Sequence, residues 1–134
     1  MIVVDSSAIV ATFLGEPDAS AFAERLFGET DRLISVANVV ESSMVIFGKQ
    51  LGPPEVTEAW LDEFIADAEM TLLPVTLEHA QLARLAFKLY GKGTGHPAQL
   101  NFGDCFAYAL AKSLDVPLLY KGNDFAHTDI ASAL

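Results

Sequence analysis

Four carboxylates stand in or beside apolar stretches, where an acid without a partner is costly. Asp5 ends the run "MIVVD" and is followed by two hydroxyls, Ser6 and Ser7. Glu41 interrupts "VANVVESSMVIF", Asp104 opens "GDCFAYALA", and Asp124 follows "PLLYKGN". The acids of "WLDEFIADAE" differ, because their surroundings are those of a solvated face. Carboxylates gathered near one sheet edge repel each other unless a cation sits between them. Oxygen ligands with no Cys or His cluster nearby select a hard divalent ion, Mg²⁺ or Mn²⁺. Such an ion holds a phosphodiester, activates a water and neutralises the leaving oxygen. This chemistry leads from four acids to a nuclease.

Each acid also has a purely structural explanation. Asn101 and Asp104 have the spacing of a capping box, with Asn101 as N-cap, and the helix dipole favours an acid in the first turn. Asp5 suits the N-cap of the helix that follows, Asp124 a turn in Gly-Asn-Asp, and Glu41 a partly exposed helical position. Their coincidence beside one predicted sheet edge is what singles them out. Other motifs offer less. His79, His96 and His127 are scattered without metal-binding spacing, and no Walker A or dinucleotide fingerprint is present. Cys105 reads as a small apolar packing group, and Trp60 and the phenylalanine stripes as core.

The elements that must position these acids alternate between strand and helix. "MIVVD", "RLIS", "MTLLPV" and "VPLLYKG" read as short strands. Helices are predicted over "SSAIVATFL" (Ser6 or Ser7 as N-cap), "EPDASAFAERLFGE", "VANVVESSMVIFGKQLG", "PPEVTEAWLDEFIADAE", "TLEHAQLARLAFKLYG" and "FGDCFAYALAKSLD". The third of these is apolar on most sides and is expected to be largely buried. The fourth carries Val56, Trp60 and Phe64 at helical spacing. Thr76 and His79 suggest a capping box on the fifth, "KGTGHPAQLN" reads as a loop, and "NDFAHTDI" as a turn into a short helix. Strands without polar alternation, separated by helices, indicate an α/β fold with a mostly parallel sheet covered on both faces. Ligands of such sheets bind beyond the carboxyl ends of the strands, where Asp5 and Asp124 are expected.

The 134 residues suit one domain, residues 1–134, with a real core at 51% hydrophobic and 19% charged. No apolar run reaches membrane-spanning length, and a single cysteine fits a reducing compartment. A cytoplasmic protein is the expectation. The net charge of −10 is uneven. Residues 1–83 hold 3 basic and 14 acidic residues, whereas residues 84–121 hold 5 basic and 2 acidic. A polyanion would therefore approach over the second region.

"IVVDSSAIVA", Glu41 in its apolar helix and "LNFGDCFAYALAKSLDVPLLYKGNDF", together with the length, resemble the PIN-domain toxins of the VapC family over nearly the whole chain. The resemblance implies a three-layer α/β/α sandwich and Mg²⁺- or Mn²⁺-dependent endoribonuclease activity. It also implies a cognate antitoxin, an RNA substrate and a homodimer. Carried over by position, Asp5, Glu41, Asp104 and Asp124 form the acidic metal-binding quartet, and Ser6 supplies a hydroxyl that orders the site. Many PIN domains have Thr or Ser shortly before the last aspartate; here Lys121 and Asn123 stand instead. On this view Arg84, Lys88, Lys92 and Lys121 flank the acids and guide RNA to them. Two alternatives are a phosphoacceptor module of the receiver type and a catalytically inactive PIN scaffold. The first needs an Asp ending a later central strand, yet "RLIS" ends in Ser and "MTLLPV" runs into Thr; the second must explain why all four acids are present.

Overall fold

The computed structural model describes residues 1–134. Its elements run β1 (Ile2–Val4), α1 (Ser6–Phe13), α2 (Ala19–Phe27), β2 (Arg32–Ser35), α3 (Val36–Gly48), α4 (Pro54–Asp67), β3 (Thr71–Leu73), α5 (Leu77–Tyr90), α6 (Phe102–Leu114) and β4 (Leu118–Leu119). The four strands form one parallel sheet in the order β3-β2-β1-β4. Strand side chains alternate between faces, and here the two faces build two cores. Ile2, Val4, Ile34 and Leu119 pack with residues of α1 to α4. Val3 and Leu118 pack with Ala83 and Ala86 of α5 and with the buried side of α6, including Tyr108 and Leu110. The result is the expected three-layer α/β/α sandwich.

Chain direction places the crevice. From β1 the sheet grows one way through β2 to β3, and then returns to add β4 on the opposite side of β1. The carboxyl ends of β1 and β4 therefore lie at the switch point where ligands of open parallel sheets bind. The first residue beyond β1 is Asp5, whose N–H donates to Leu119 O at 2.9 Å.

Several expectations change. Of the caps expected for α1, Asp5 is the one used and Ser6 and Ser7 are not. Helix α2 is shorter than its predicted span, beginning at Ala19, and Phe27 at its end is exposed. The segment after Asn123 makes turns and no helix. The largest correction concerns α3, of which only Asn38, Ser42 and Ile46 are buried, while Val40, Met44 and Phe47 face outward. In α4 the buried residues are Thr57, Leu61 and Ile65, each one place on from Val56, Trp60 and Phe64. Trp60 is 46% exposed and is not core. Both helices enter the core along one narrow stripe, α4 by way of α3, so apolar residues beside that stripe stay outside. The capping boxes on α5 (Thr76, His79) and α6 (Asn101, Asp104) are both present.

Candidate active site

Asp5, Ser6, Glu41, Asp104 and Asp124 line one pocket, together with Ser7, Glu16, Asn101 and Lys121. Four different elements deliver the acids: the end of β1, the second turn of α3, the first turn of α6, and the segment after β4. The parallel order of the sheet brings those points to one edge.

Asp5 is 1% exposed and splits its duties. Its Oδ2 accepts from Ser7 N–H at 2.9 Å and from Ser7 Oγ–H at 2.5 Å, capping α1. Its Oδ1 is buried with no partner at all. A buried carboxylate oxygen without a donor is an expensive arrangement, and only Arg32 Nε and Asn38 Oδ1 share its lack of a partner among buried side-chain atoms. It is the oxygen a cation would take.

Glu41 is fixed by groups that the sequence pattern only partly revealed. Ser6 Oγ–H donates to Glu41 Oε1, and Asn38 Nδ2 donates to the same oxygen at 3.2 Å. Asn38 is fully buried and also donates to Gly103 O at 3.0 Å, tying α3 to the first turn of α6. Gly103 itself lies against the Glu41 carboxyl: a Cβ there would sit 1.6 Å from Glu41 Oε2. Ser6 thus meets Glu41 rather than Asp5, whose hydroxyl partner is Ser7. Asn38 and Gly103 were not singled out from sequence, and Ser7 was read only as a hydroxyl after Asp5 and a possible helix cap. A polar residue one turn before Glu41 and a glycine beside Asp104 were the available signals.

Asp104 is 7% exposed and its Oδ2 accepts from Asn101 N–H at 3.0 Å, while its own N–H donates to Asn101 Oδ1 at 2.9 Å. The capping box is thus real and aims the residue into the pocket. Asp124 is exposed at the pocket rim.

Electrostatics follow from the packing. Burial pushes the Asp5 carboxyl up to about 6, with the Glu41 charge adding to it and the Ser7 hydrogen bonds opposing. Burial, then the charges of Asp5, Asp124 and Glu41, pushes Asp104 up to about 7 against the Asn101 bond. The carboxylates line the pocket without closing into a three-ligand cluster. All-oxygen chemistry, an orphaned Asp5 oxygen, and Asp5 and Asp104 raised chiefly by burial fit a hard divalent cation. Cys105 is buried, its thiol pushed up to about 11 chiefly by burial, which disfavours the nucleophilic thiolate.

The basic residues divide. Lys121 lines the acid pocket. Arg84 and Lys88 instead line an apolar groove between α5 and α6 with Phe87, Phe102 and Phe106, and Lys92 is exposed just beyond α5. No helix is long and apolar enough to cross a membrane.

Comparison with known proteins agrees with this geometry. The PIN domain family model matches residues 2–131. Ribonuclease VapC28 of Mycobacterium tuberculosis is 46% identical over 133 residues, covering 99% of this chain and 98% of that one. Ribonuclease VapC30 of the same species is 44% identical over 131 residues, covering 98% and 97%. Among solved structures, the sarcin-ricin loop cleaving toxin VapC20 of M. tuberculosis superposes with a TM-score of 0.72 at 15% identity, covering 98% of this chain and 97% of that one. A toxin–antitoxin complex from Klebsiella pneumoniae gives 0.70 at 14% identity, covering 100% and 98%. The strand order, the acids at the switch point and the near full-length relatives lead to one assignment: the chain belongs to the PIN domain family, in its VapC branch.

Proposed function

We propose that residues 1–134 act as one catalytic domain, a Mg²⁺- or Mn²⁺-dependent endoribonuclease serving as the toxin of a toxin–antitoxin pair in the cytoplasm. The observation that carries the reading is the convergence of Asp5, Glu41, Asp104 and Asp124 on one pocket, with two of them held well above the ordinary carboxylate range. These four would hold the metal, Asp5 through its unpartnered Oδ1. The ion, when bound, supplies the positive charge that activates water and offsets charge on the phosphate. The protein's own part is to fix the ligands: Ser7 and the start of α1 hold Asp5, Ser6 and Asn38 hold Glu41, and Asn101 holds Asp104.

The test is cleavage of RNA with added Mg²⁺ or Mn²⁺, comparing the wild type with Asp5→Asn. Asn keeps a side-chain oxygen to cap α1 but is a poorer ligand for a hard cation. We expect the variant to stay folded and to lose about a thousandfold or more in rate, on the scale of a lost catalytic group. Metal-independent cleavage, or full activity in the variant, overturns the assignment.

The RNA is placed over the more basic stretch. Arg84, Lys88 and Lys92 make no ion pair, so they are free to meet phosphates. Replacing Lys88 and Lys92 by Glu is expected to lower kcat/KM roughly tenfold at low salt and to flatten its salt dependence. Rates unchanged across a salt series exclude these two from the RNA path. A cognate antitoxin and a second copy of the chain complete the reading. The solved toxin–antitoxin complex of the same fold supports the former. The outward apolar residues Val40, Met44 and Phe47 of α3 are surface that a monomer would gain by covering.

A further inference from the structure

One cation faces the acid pocket. Of its lining residues five are carboxylates (Asp5, Glu16, Glu41, Asp104 and Asp124) and only Lys121 is basic. Its backbone is held firmly, because Lys121 N–H donates to Ser7 Oγ at 2.9 Å, and that hydroxyl in turn donates to Asp5 Oδ2 at 2.5 Å. Its side chain is held differently. The ammonium donates to Glu16 and, at 3.0 Å, to Asp18 Oδ1, both from the segment between α1 and α2. About a third of the side chain and comparable shares of its two partners remain exposed. Ion pairs this open contribute little net stability, so exchanging one anionic partner for another costs little. A phosphodiester entering the pocket is such a partner, and charge-assisted bonds to phosphate are strong.

We propose that Lys121 is a positioning residue for a phosphate of the RNA substrate, and that Glu16 and Asp18 are a latch that holds its ammonium at the pocket rim until that phosphate displaces them. The proposal rests on the ribonuclease reading of the same pocket. The fixed backbone holds the root of the side chain beside Asp5, and the exchangeable side-chain partners let the ammonium move from latch to substrate. Neutralising the latch would therefore tighten substrate binding, and removing Lys121 would weaken it.

The experiment uses the full chain and two probes: a single-stranded RNA oligonucleotide cleaved in Mn²⁺, and its non-cleavable 2′-O-methyl counterpart, bound across a salt series. Lys121→Ala is expected to raise KM and the Kd for the non-cleavable probe about tenfold with kcat nearly unchanged, and to reduce the salt slope by about one. Lys121→Arg is expected to restore both constants. Glu16→Gln with Asp18→Asn is expected to lower them about threefold, and to leave them unchanged when added to Lys121→Ala. If Lys121→Ala lowers only the melting temperature, Lys121 is a brace between β4 and the α1–α2 segment and the proposal fails. Equal tightening by the latch variants with and without Lys121 shows a bulk-field effect and also overturns it, as does a wild type that does not bind the probe. A wild type that binds the probe through Lys121 yet cuts no RNA overturns the ribonuclease reading instead.

Discussion

Asp104→Asn is expected to abolish RNA cleavage and, at pH 8 without metal, to make the protein more stable. Asn keeps an oxygen for the bond from Asn101 N–H, so the helix start survives the change. What disappears is a charge that burial and three neighbouring acids disfavour, pushing Asp104 from 3.8 up to about 7. The sign follows from linkage. A carboxyl whose folded value is raised holds its proton in the folded state after the unfolded chain has released it. Stability is therefore lost as pH climbs from about 4 through about 7, and the loss is complete at pH 8. On the order of 2 kcal/mol or more is at stake, roughly 7 °C in melting temperature for a chain this long. At pH 4.5 the folded wild type still holds the proton and most of the loss has yet to occur, so the two proteins should melt much closer together than at pH 8. Asp5, raised to about 6, contributes in the same direction. Saturating Mn²⁺ should reverse the ranking at pH 8, because ligand binding stabilises only the protein that retains the site. Thermal melts at the two pH values, with and without Mn²⁺, give the answer directly. A stability gain that is the same at pH 4.5 and pH 8 removes the charge explanation, and wild-type cleavage reduces Asp104 to a helix cap.

The legible part of this site was the part written in local rules. Asn101 and Asp104 are three residues apart, and a capping box needs nothing beyond that spacing. Asp5 ends an apolar run, so the strand end and the pocket edge follow from parallel-sheet topology. What could not be read depends on segments far apart in the chain. Asn38 and Gly103 are 65 residues apart, and only the packing of α3 on α6 joins them. The buried face of α4 was misjudged for a different reason. Val56, Trp60 and Phe64 and the true stripe Thr57, Leu61 and Ile65 have the same period one residue apart. Periodicity cannot choose between two adjacent stripes; packing against α3 and the core does. Likewise the cations gathered late in the sequence separate in space, Lys121 at the acids and Arg84 with Lys88 at the α5–α6 groove.

Gly103→Ala is the second large effect, and its sign sets two principles against each other. Gly103 lies within α6, where helix propensity alone predicts that Ala stabilises by about 1 kcal/mol. The contact geometry predicts injury, because the new Cβ would meet Glu41 Oε2 at 1.6 Å, its Cδ at 2.2 Å and Oε1 at 2.6 Å. No side chain tolerates that approach, so something must move. The obstacle is the end of a flexible side chain rather than backbone, and the least costly relief is for Glu41 to swing away. Doing so breaks its bonds from Ser6 and Asn38 but leaves the helix, the Asn38–Gly103 bridge and both cores in place. We therefore expect a melting temperature within a few degrees of the wild type, the gain in propensity offsetting the lost bonds. Cleavage should fall about a hundredfold, because one of four carboxylates no longer faces the pocket. The double variant Gly103→Ala with Glu41→Ala separates this from a general disturbance of α6. If Gly103 acts through Glu41, the double variant is no slower than Glu41→Ala alone, since the carboxylate to be displaced is already gone. A further multiplicative loss places the damage at Asp104 and the helix start instead, and full activity in Gly103→Ala shows that Glu41 reaches the pocket by another route.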